Sequence, residues 1–278
     1  MDQIFLPVIA IGGMGLIFGA LLAIAAKLFA VEKDERIPRI IEILPGANCG
    51  GCGYAGCSAY AEAIVTQNAS VSCCPVGGSD VAEKISAIMG VEATQNEKIT
   101  AFVFCSGNKN VARNRYINNT ALDCYAANRL AGGMKECIHG CLGFGSCVAK
   151  CNFGAISIVD GVAVVDREKC VNCGACIKEC PRNLIKRVPY SAKAINVCAS
   201  KLPGKQTRAV CDVGCIGCGI CAKNCESGAI AIENNLAVID HAKCTGCGVC
   251  AEKCPRKIIF FAKESTPKVQ IVEEAKVD

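Results

Sequence analysis

The stretch CTGCGVCAEKCP, from Cys244 to Pro255, and the stretch CVNCGACIKECP, from Cys170 to Pro181, share the cysteine spacing C-x2-C-x2-C-x3-C-P. In this spacing three close thiolates wrap one iron–sulfur cubane, and the fourth cysteine reaches the second cubane of a pair. Each stretch therefore predicts one half of a double-cluster module. The other half of each module must come from cysteines elsewhere in the chain.

A single offset along the chain, the repeat offset that takes Cys170 onto Cys244, superimposes these two stretches and also aligns cysteines upstream of them. The upstream pairs are Cys124 with Cys198, Cys137 with Cys211, Cys141 with Cys215, Cys147 with Cys221, and Cys151 with Cys225. Between the cysteine groups, GAISIVDGVAVVD and GAIAIENNLAVID each predict a β-hairpin, with turns at Asp160-Gly161 and Asn234-Asn235. This repeat indicates an internal duplication, so we expect two tandem double-cluster modules of the bacterial ferredoxin type.

Cross-ligation within each module predicts which cysteines share a [4Fe-4S] cluster. In the second module the two sets are Cys215, Cys218 and Cys221 with Cys254, and Cys225 with Cys244, Cys247 and Cys250. In the first module one set is Cys151 with Cys170, Cys173 and Cys176. The other set contains only Cys141, Cys147 and Cys180, because Phe144 stands where the second module has Cys218.

The fourth ligand at the Phe144 position is left open by the sequence. Cys137 is the first choice because it lies one short turn upstream of Cys141, and Cys105 and Cys124 follow. His139 is a remote alternative, since histidine ligation is the exception in these clusters. A three-iron cluster and an empty site are the other outcomes. Because Cys198 and Cys211 persist in the complete second module, Cys105, Cys124 and Cys137 are also candidates for a further site.

An earlier group of cysteines lies in NCGGCGYAGCSAYAEAIVTQNASVSCCPVGG. Cys49, Cys52 and Cys57 occupy a glycine-rich loop, and a helix predicted over SAYAEAIV returns the chain to Cys74. Three crowded cysteines, with glycines that leave backbone N–H groups free to face sulfur, favour a [4Fe-4S] cluster over zinc. Cys74 is preferred as the fourth ligand because the turn PVGG follows it, which leaves Cys73 spare.

The N-terminus contains a long uncharged run, from Ile4 to Ala26. At about 1.5 Å per residue a helix of this length crosses the hydrocarbon core, so we predict a transmembrane anchor rather than a secretory signal. Basic residues follow the helix and none precedes it; they are Lys27, Lys33, Arg36 and Arg39. The positive-inside rule then predicts a single pass through the cell (inner) membrane, with the remaining chain on the cytoplasmic side.

The composition limits the class of protein. Twenty-five cysteines in 278 residues are typical of disulfide scaffolds or metal proteins, and neighbouring CxxC cysteines would pair only under strain. Each cubane held by four thiolates carries roughly −2, so five of them would move the formal charge of +5 to about −5. We therefore expect about five [4Fe-4S] clusters, or six if the surplus cysteines bind one more, and no nucleic acid partner.

The expected fold class is α+β. We expect no group of catalytic residues in this chain. The predicted domains are a transmembrane anchor at 1–30, an α-helical four-cysteine domain at 31–95, a connecting segment with Cys105 and Cys124 at 96–135, ferredoxin modules at 136–190 and 191–262, and a flexible tail at 263–278.

These features in this order resemble the B subunit of the Rnf family of ion-translocating ferredoxin:NAD oxidoreductases. The resemblance covers almost the whole chain, and it rests on the N-terminal helix, the NCGGCGYAGCSAYAEAI block with CPVGG, the segment CLGFGSC and the ferredoxin repeats. It implies an electron-transfer subunit of a membrane translocase. Such a subunit accepts electrons from soluble ferredoxin and passes them to other membrane and peripheral subunits.

Two other functions fit the same cysteines. One is a polyferredoxin subunit of another membrane oxidoreductase, which would differ only in its partners. The other is an enzyme with chemistry at an open cluster, because Phe144 leaves a coordination gap.

Overall fold

The computed structural model describes residues 2–28, 34–92, 97–117, 120 and 123–261, which form the predicted α+β fold. Its helices are α1 (Asp2–Leu28), α2 (Arg36–Ile43), α3 (Cys57–Gln67), α4 (Gly78–Met89), α5 (Cys124–Arg129), α6 (Ser146–Ala149), α7 (Ala175–Glu179), α8 (Gly204–Val210), α9 (Ile220–Lys223) and α10 (Val249–Glu252). Its strands are β1 (Ile99–Val103), β2 (Ile156–Val159), β3 (Val162–Val165), β4 (Ile185–Pro189), β5 (Ala194–Asn196), β6 (Ile230–Glu233), β7 (Leu236–Ile239) and β8 (Ile259–Phe261). They pair into four antiparallel ribbons, β1–β4, β2–β3, β5–β8 and β6–β7.

The two predicted hairpins are confirmed as β2–β3 and β6–β7. Their two-residue turns are of the type that has a positive φ at both central residues, and this type matches the twist of the flanking strands. Asp160 and Gly161 have φ values of 47° and 76°, and Asn234 and Asn235 have 48° and 64°. Glycine, asparagine and aspartate tolerate this region best, which explains why they occupy these positions.

One of the other two ribbons, β1–β4, extends the first ferredoxin module beyond its predicted boundary. Val103 of β1 pairs with Ile185, and Asn196 of β5 pairs with Ile259. Ile185 and Ile259 are separated by the repeat offset, so β1 and β5 are equivalent strands. The segment at 96–135 is therefore more than a connection, because it contributes β1 to the first module.

This pairing corrects one part of the sequence alignment. Cys105 follows β1, and Cys198 follows β5, each at the second position after the last strand residue. The structural counterpart of Cys198 is therefore Cys105, and the alignment with Cys124 is coincidental. The first module has an insertion relative to the second, because the chain from Cys105 to Cys137 is much longer than the chain from Cys198 to Cys211.

The two ferredoxin modules pack on opposite faces of β1. Side chains alternate between the faces of a strand. Ala101 and Val103 lie in the hydrophobic core of the first module, whereas Phe102 packs in the core of the second with Val188 and Ile195. One strand thus contributes to both cores.

The four-cysteine domain is a small helical unit. Helix α3 begins at Cys57, which confirms the helix predicted over SAYAEAIV. Ile40 of α2, Tyr60 and Ile64 of α3, and Ile85 of α4 form its core, and each is at most 1% exposed. The cysteine loop precedes α3, so this core fixes the loop.

The N-terminal segment is helical, as predicted. In the part of the chain that the structure describes, no helix is found that is long and apolar enough to cross a membrane. The transmembrane role assigned to 1–30 therefore stays a prediction. Lys33 and the tail at 263–278 lie outside the described residues.

Candidate metal centres

Site 1 belongs to the helical domain and comprises Cys49, Cys52, Cys57 and Cys74. The Asn48 side chain ties the loop to α3, because its Oδ1 accepts the Cys57 N–H at 2.8 Å. Burial raises the pKa of Cys74, and Cys52 and Cys57 add to that rise. The Gly77 N–H faces the Cys74 sulfur at 3.4 Å. The choice of Cys74 over its neighbour Cys73 stays a prediction; the backbone N–H of Cys73 donates to the Tyr60 hydroxyl.

Site 2 brings together one complete predicted set of the first module. A cavity of about 330 Å³ is lined by Cys151, Cys170, Cys173 and Cys176. The Ala101 N–H donates to the Cys170 sulfur at 3.3 Å, and the Ala155 N–H donates to the Cys151 sulfur at 3.4 Å. Burial raises the pKa of Cys176 to about 11, and the other three thiols add to this rise.

Sites 4 and 5 are the two predicted sets of the second module. Site 4 is a cavity of about 350 Å³ lined by Cys215, Cys218, Cys221 and Cys254. Site 5 consists of Cys225, Cys244, Cys247 and Cys250. Burial raises the pKa of Cys250, and the other three thiols of site 5 raise it further. Cys218 and Cys247 are exposed, so both sites reach the surface of the module.

Site 3, at the Phe144 position, contains Cys124 rather than Cys137. Its cavity of about 370 Å³ is lined by Cys124, Cys141, Cys147 and Cys180. Burial raises the pKa of Cys147 to about 12, and Cys141, Cys124 and Cys180 add to the rise. Cys137, the first choice from the sequence, lines another cavity, so the fourth ligand of site 3 stays a prediction.

Helix α5, which lies in the insertion of the first module, delivers Cys124 to site 3. The Asp123 carboxylate caps α5 by accepting the Ala126 N–H at 2.7 Å. The Cys124 N–H donates to the Ser146 hydroxyl at 2.9 Å, which ties the start of α5 to the cysteine loop. Phe144 packs against the small core formed by Cys124, Ala127 and Leu142. Phe144 thus occupies the loop position at which the second module has Cys218, and Cys124 of α5 brings a thiol to this cavity instead.

Cys137 lines a separate cavity, the junction cavity, with Cys105, Cys198 and Cys211. His139, the histidine considered for site 3, lines it as well. Of the surplus cysteines, Cys124 therefore lines the cavity of site 3, and the junction cavity is lined by Cys105, Cys137, Cys198 and Cys211.

The donor sets of sites 2, 3 and 4 fit iron–sulfur clusters. Among the described residues, no three or more His, Cys, Asp or Glu side chains converge to hold a single metal ion. The ligands of a cubane stand farther apart than those of one ion, because the cluster lies between them. Each of the three cavities instead offers four cysteines around a free volume of about 330 to 370 Å³.

Profiles of known families match three segments of the chain. The FeS family, described as "Putative Fe-S cluster", matches residues 44–76 and covers site 1. A 4Fe-4S binding domain matches residues 163–186, and a 4Fe-4S dicluster domain matches residues 214–258.

Several proteins are similar over most of the chain. The B subunit of the Na(+)-translocating ferredoxin:NAD(+) oxidoreductase complex of Acetobacterium woodii is 47% identical, over 87% of this chain and 73% of its own length. The B subunit of the ion-translocating oxidoreductase complex of Methanosarcina acetivorans is 44% identical, over 93% of this chain and 99% of its own. The B subunit of the proton-translocating ferredoxin:NAD(+) oxidoreductase complex of Clostridium ljungdahlii is 40% identical, over 87% and 86%. The chain therefore belongs to the B-subunit family of ion-translocating (Rnf) oxidoreductase complexes, as an iron–sulfur electron-transfer subunit.

Proposed function

We propose that the chain is a wire of [4Fe-4S] clusters at sites 1 to 5, which relays electrons from soluble ferredoxin to other subunits of its complex. The observation that carries this proposal is the grouping of cysteines into successive quartets, of which sites 2, 3 and 4 surround cavities of similar size. The ligands would be the predicted sets, with Cys124 as the fourth ligand of site 3. With Cys124 as a ligand, the cluster at site 3 has no open coordination position. The alternative function, an enzyme with chemistry at an open cluster, would need such a position.

The protein's own contribution is to bury the sulfur ligands and to hydrogen-bond them. When bound, the clusters supply one-electron redox chemistry. Backbone N–H donors stabilise the more negative, reduced state and so raise the reduction potential. The Ala163 N–H faces the Cys141 sulfur, and the Leu184 N–H faces the Cys180 sulfur, each at 3.5 Å. The potentials of site 3 would therefore be set largely by backbone geometry.

Sites 1 and 2 adjoin each other through backbone. Gly51 lies in the loop of site 1, and a Cβ added there would be 3.1 Å from Cys173 Cα and 2.8 Å from the Pro75 side chain. Cys173 belongs to the cavity of site 2. The absence of a side chain at Gly51 lets the two cysteine loops touch, which favours electron transfer between the helical domain and the first module.

We place the electron-accepting end at the second module. Both of its sites have an exposed cysteine, Cys218 and Cys247, whereas Cys173 in the first module is only partly exposed and adjoins Gly51. Exposed basic side chains such as Lys243 and Lys253 lie near site 5 in sequence. Exposed lysines next to an accessible cluster favour an acidic electron donor, because charge complementarity speeds encounter.

The proposed wire ends at the membrane. Helix α1 runs continuously for 27 residues, and its apolar side chains between Ile11 and Ile24, including Leu16 and Leu22, are 56% exposed or more. A helix with such side chains open to its surroundings suits lipid or neighbouring membrane subunits. We infer a single-pass anchor in the cell membrane, with the cluster-bearing part on the cytoplasmic side.

The ligand assignment at site 3 predicts a loss and a rescue. Cys124→Ala should lower the iron content by about four per chain, or by about one if a three-iron cluster remains. Adding Phe144→Cys to that variant puts a thiol where the second module has Cys218, so the iron should return. Iron and acid-labile sulfide are measured after anaerobic purification, with Cys73→Ala as the control that keeps its iron. Wild-type iron in Cys124→Ala would refute the assignment.

Docking of the ferredoxin donor at the second module predicts that charge reversal at two equivalent lysines will change the rate of reduction differently. Lys243 and Lys169 occupy the same position in the two modules, and each pairs with an aspartate at i−3, at 3.7 and 3.8 Å. Lys243→Glu should slow reduction by an acidic ferredoxin roughly two- to fivefold at low salt, and added salt should reduce the difference. Lys169→Glu is the control. Stopped-flow traces in which only Lys169→Glu slows the reaction would move the docking surface to the first module.

The contact at Gly51 predicts that a bulky substitution there will leave the clusters in place but slow electron transfer between sites 1 and 2. Gly51→Val introduces atoms where the Cys173 backbone and Pro75 lie, so the loops must move apart. Iron content should stay within error, while transfer between sites 2 and 1 slows, as followed by freeze-quench electron paramagnetic resonance. Ala55→Val adds similar bulk at an exposed position of the same loop and should leave the rate unchanged. Equal rates in both variants would count against direct contact between the two sites.

The membrane anchor predicts a sharp sensitivity to charge in α1. A charged residue in the middle of a membrane helix costs about 2.5 to 3.5 kcal/mol. The double variant Leu16→Asp, Phe18→Asp should therefore move the full chain, expressed alone, into the soluble fraction after ultracentrifugation. Ile117→Asp is the control, because this side chain is 86% exposed outside α1. Retention of the double variant in carbonate-washed membranes would exclude α1 as the anchor.

A further inference from the structure

The junction cavity resembles the cluster sites but belongs to neither module alone. It has a free volume of about 400 Å³ and is lined by four cysteines that sites 1 to 5 do not use. Cys105 and Cys137 come from the first module, and Cys198 and Cys211 come from the second. A Cβ placed on Gly107 would lie 3.7 Å from the Cys105 sulfur and 3.4 Å from the Cys211 sulfur, so sulfurs from both modules face the same point.

The cavity lies directly between sites 3 and 4. The Cys105 sulfur accepts the backbone N–H of Cys141 at 3.3 Å, and the Cys198 sulfur accepts the backbone N–H of Cys215 at 3.4 Å. Cys141 lines site 3, and Cys215 lines site 4. Each half of the junction cavity is therefore hydrogen-bonded to the nearest cluster site of its own module, in the same way on both sides.

Equivalent arginines hold the other two cysteines. Arg182 donates from Nη1 to the Cys137 carbonyl at 2.9 Å, and Arg256 donates from Nη2 to the Cys211 carbonyl at 2.7 Å. The two arginines are related by the repeat offset, and each follows the Cys-Pro pair that ends its ferredoxin motif. Each half of the cavity is thus tied to the ferredoxin motif of its own module.

Backbone hydrogen bonds fix the distance between the halves. The segment around Arg113 runs between the residues preceding Cys137 and those around Cys211. The Arg113 N–H donates to the Val210 carbonyl at 3.0 Å, the Asp212 N–H donates to the Val111 carbonyl at 2.8 Å, and the Glu136 N–H donates to the Arg113 carbonyl at 2.9 Å. The insertion of the first module supplies two of the three segments of this junction, and the second module supplies the third.

A buried cation suggests that the bound group is negative. Lys135 lines the cavity and is 2% exposed, and its Nζ donates to the Gly107 carbonyl. The ion pairs formed among the described residues do not include Lys135. Burying an ammonium group is costly unless a negative charge compensates it. A cubane held by four thiolates carries roughly −2 and meets that need.

We propose that Cys105, Cys137, Cys198 and Cys211 bind a [4Fe-4S] cluster in the junction cavity, with Lys135 as its buried countercharge. This proposal rests on the proposed function and supplies its missing link, since electrons that arrive in the second module must cross to the first. When bound, this cluster would supply one-electron redox chemistry between sites 4 and 3, and no bond in the protein would be made or broken.

The test compares single and double cysteine variants of the full chain. Wild type should contain about 24 irons per chain. The single variants Cys105→Ala and Cys198→Ala should each lose the same number of irons. The double variant should lose no more than either single variant, because both cysteines serve one cluster. Cys73→Ala, which removes a cysteine outside all six quartets, is the matched control. About 20 irons in wild type and unchanged iron in the variants would overturn the proposal, as would stoichiometric zinc at this position.

Two further readouts do not depend on iron content. In the double variant, reduced ferredoxin should still reduce sites 4 and 5 quickly but sites 1 to 3 at least roughly tenfold more slowly. Lys135→Met should keep all the iron and make one midpoint potential more negative in a redox titration, because a positive charge that stabilises the reduced state is removed. If no midpoint moves, Lys135 is not the countercharge. A colourless protein would reject the proposed function itself, whereas loss of the junction signal alone would not.

Discussion

The fold depends on one constraint, which is that cysteine sulfur must be buried close to other cysteine sulfur. Cysteines make up a large part of the hydrophobic cores of both modules, and the chain has no tryptophan and 5% aromatic residues. Burial raises the pKa of Cys147 and of Cys198 to about 12, so the thiolate form is unfavourable at neutral pH without a positive partner. Iron supplies that partner in the proposed function, so cluster binding and folding of these modules would be coupled.

The sequence predicts those parts of the fold in which spacing alone specifies geometry. The C-x2-C-x2-C-x3-C-P motif requires three sulfurs around one cavity and a fourth at the next, and sites 2 and 4 gather the expected residues. The hairpins were predictable because turns with two positive φ angles select residues such as Asn234 and Gly161. These features are local, or are repeated by the duplication, so few long-range contacts had to be inferred.

Cys124 shows where cysteine spacing fails to predict which residues come together. Its chain separation from Cys141 gives no sign of proximity, because the contact depends on the packing of α5 against the loop that contains Phe144. The sequence feature that would have identified Cys124 is the similarity of two predicted strands. The apolar run before Cys105 matches the run before Cys198, and aligning these runs reveals the insertion that contains α5. Aligning cysteines to cysteines concealed this insertion, since Cys124 happens to precede Cys198 by the repeat offset.

The same insertion also makes one body of two duplicated modules. Its residues form the strand-like segment around Arg113, supply Lys135, and deliver the fourth cysteine of site 3. The two modules already share β1, and the insertion adds contacts that enclose the junction cavity between their cluster sites. Cys105 and Cys198 are equivalent by structure, as are Cys137 and Cys211, so the junction cavity takes the same two positions from each module. Duplication therefore provides both halves of this cavity, and the insertion ties them together, so that all four cysteines line one space.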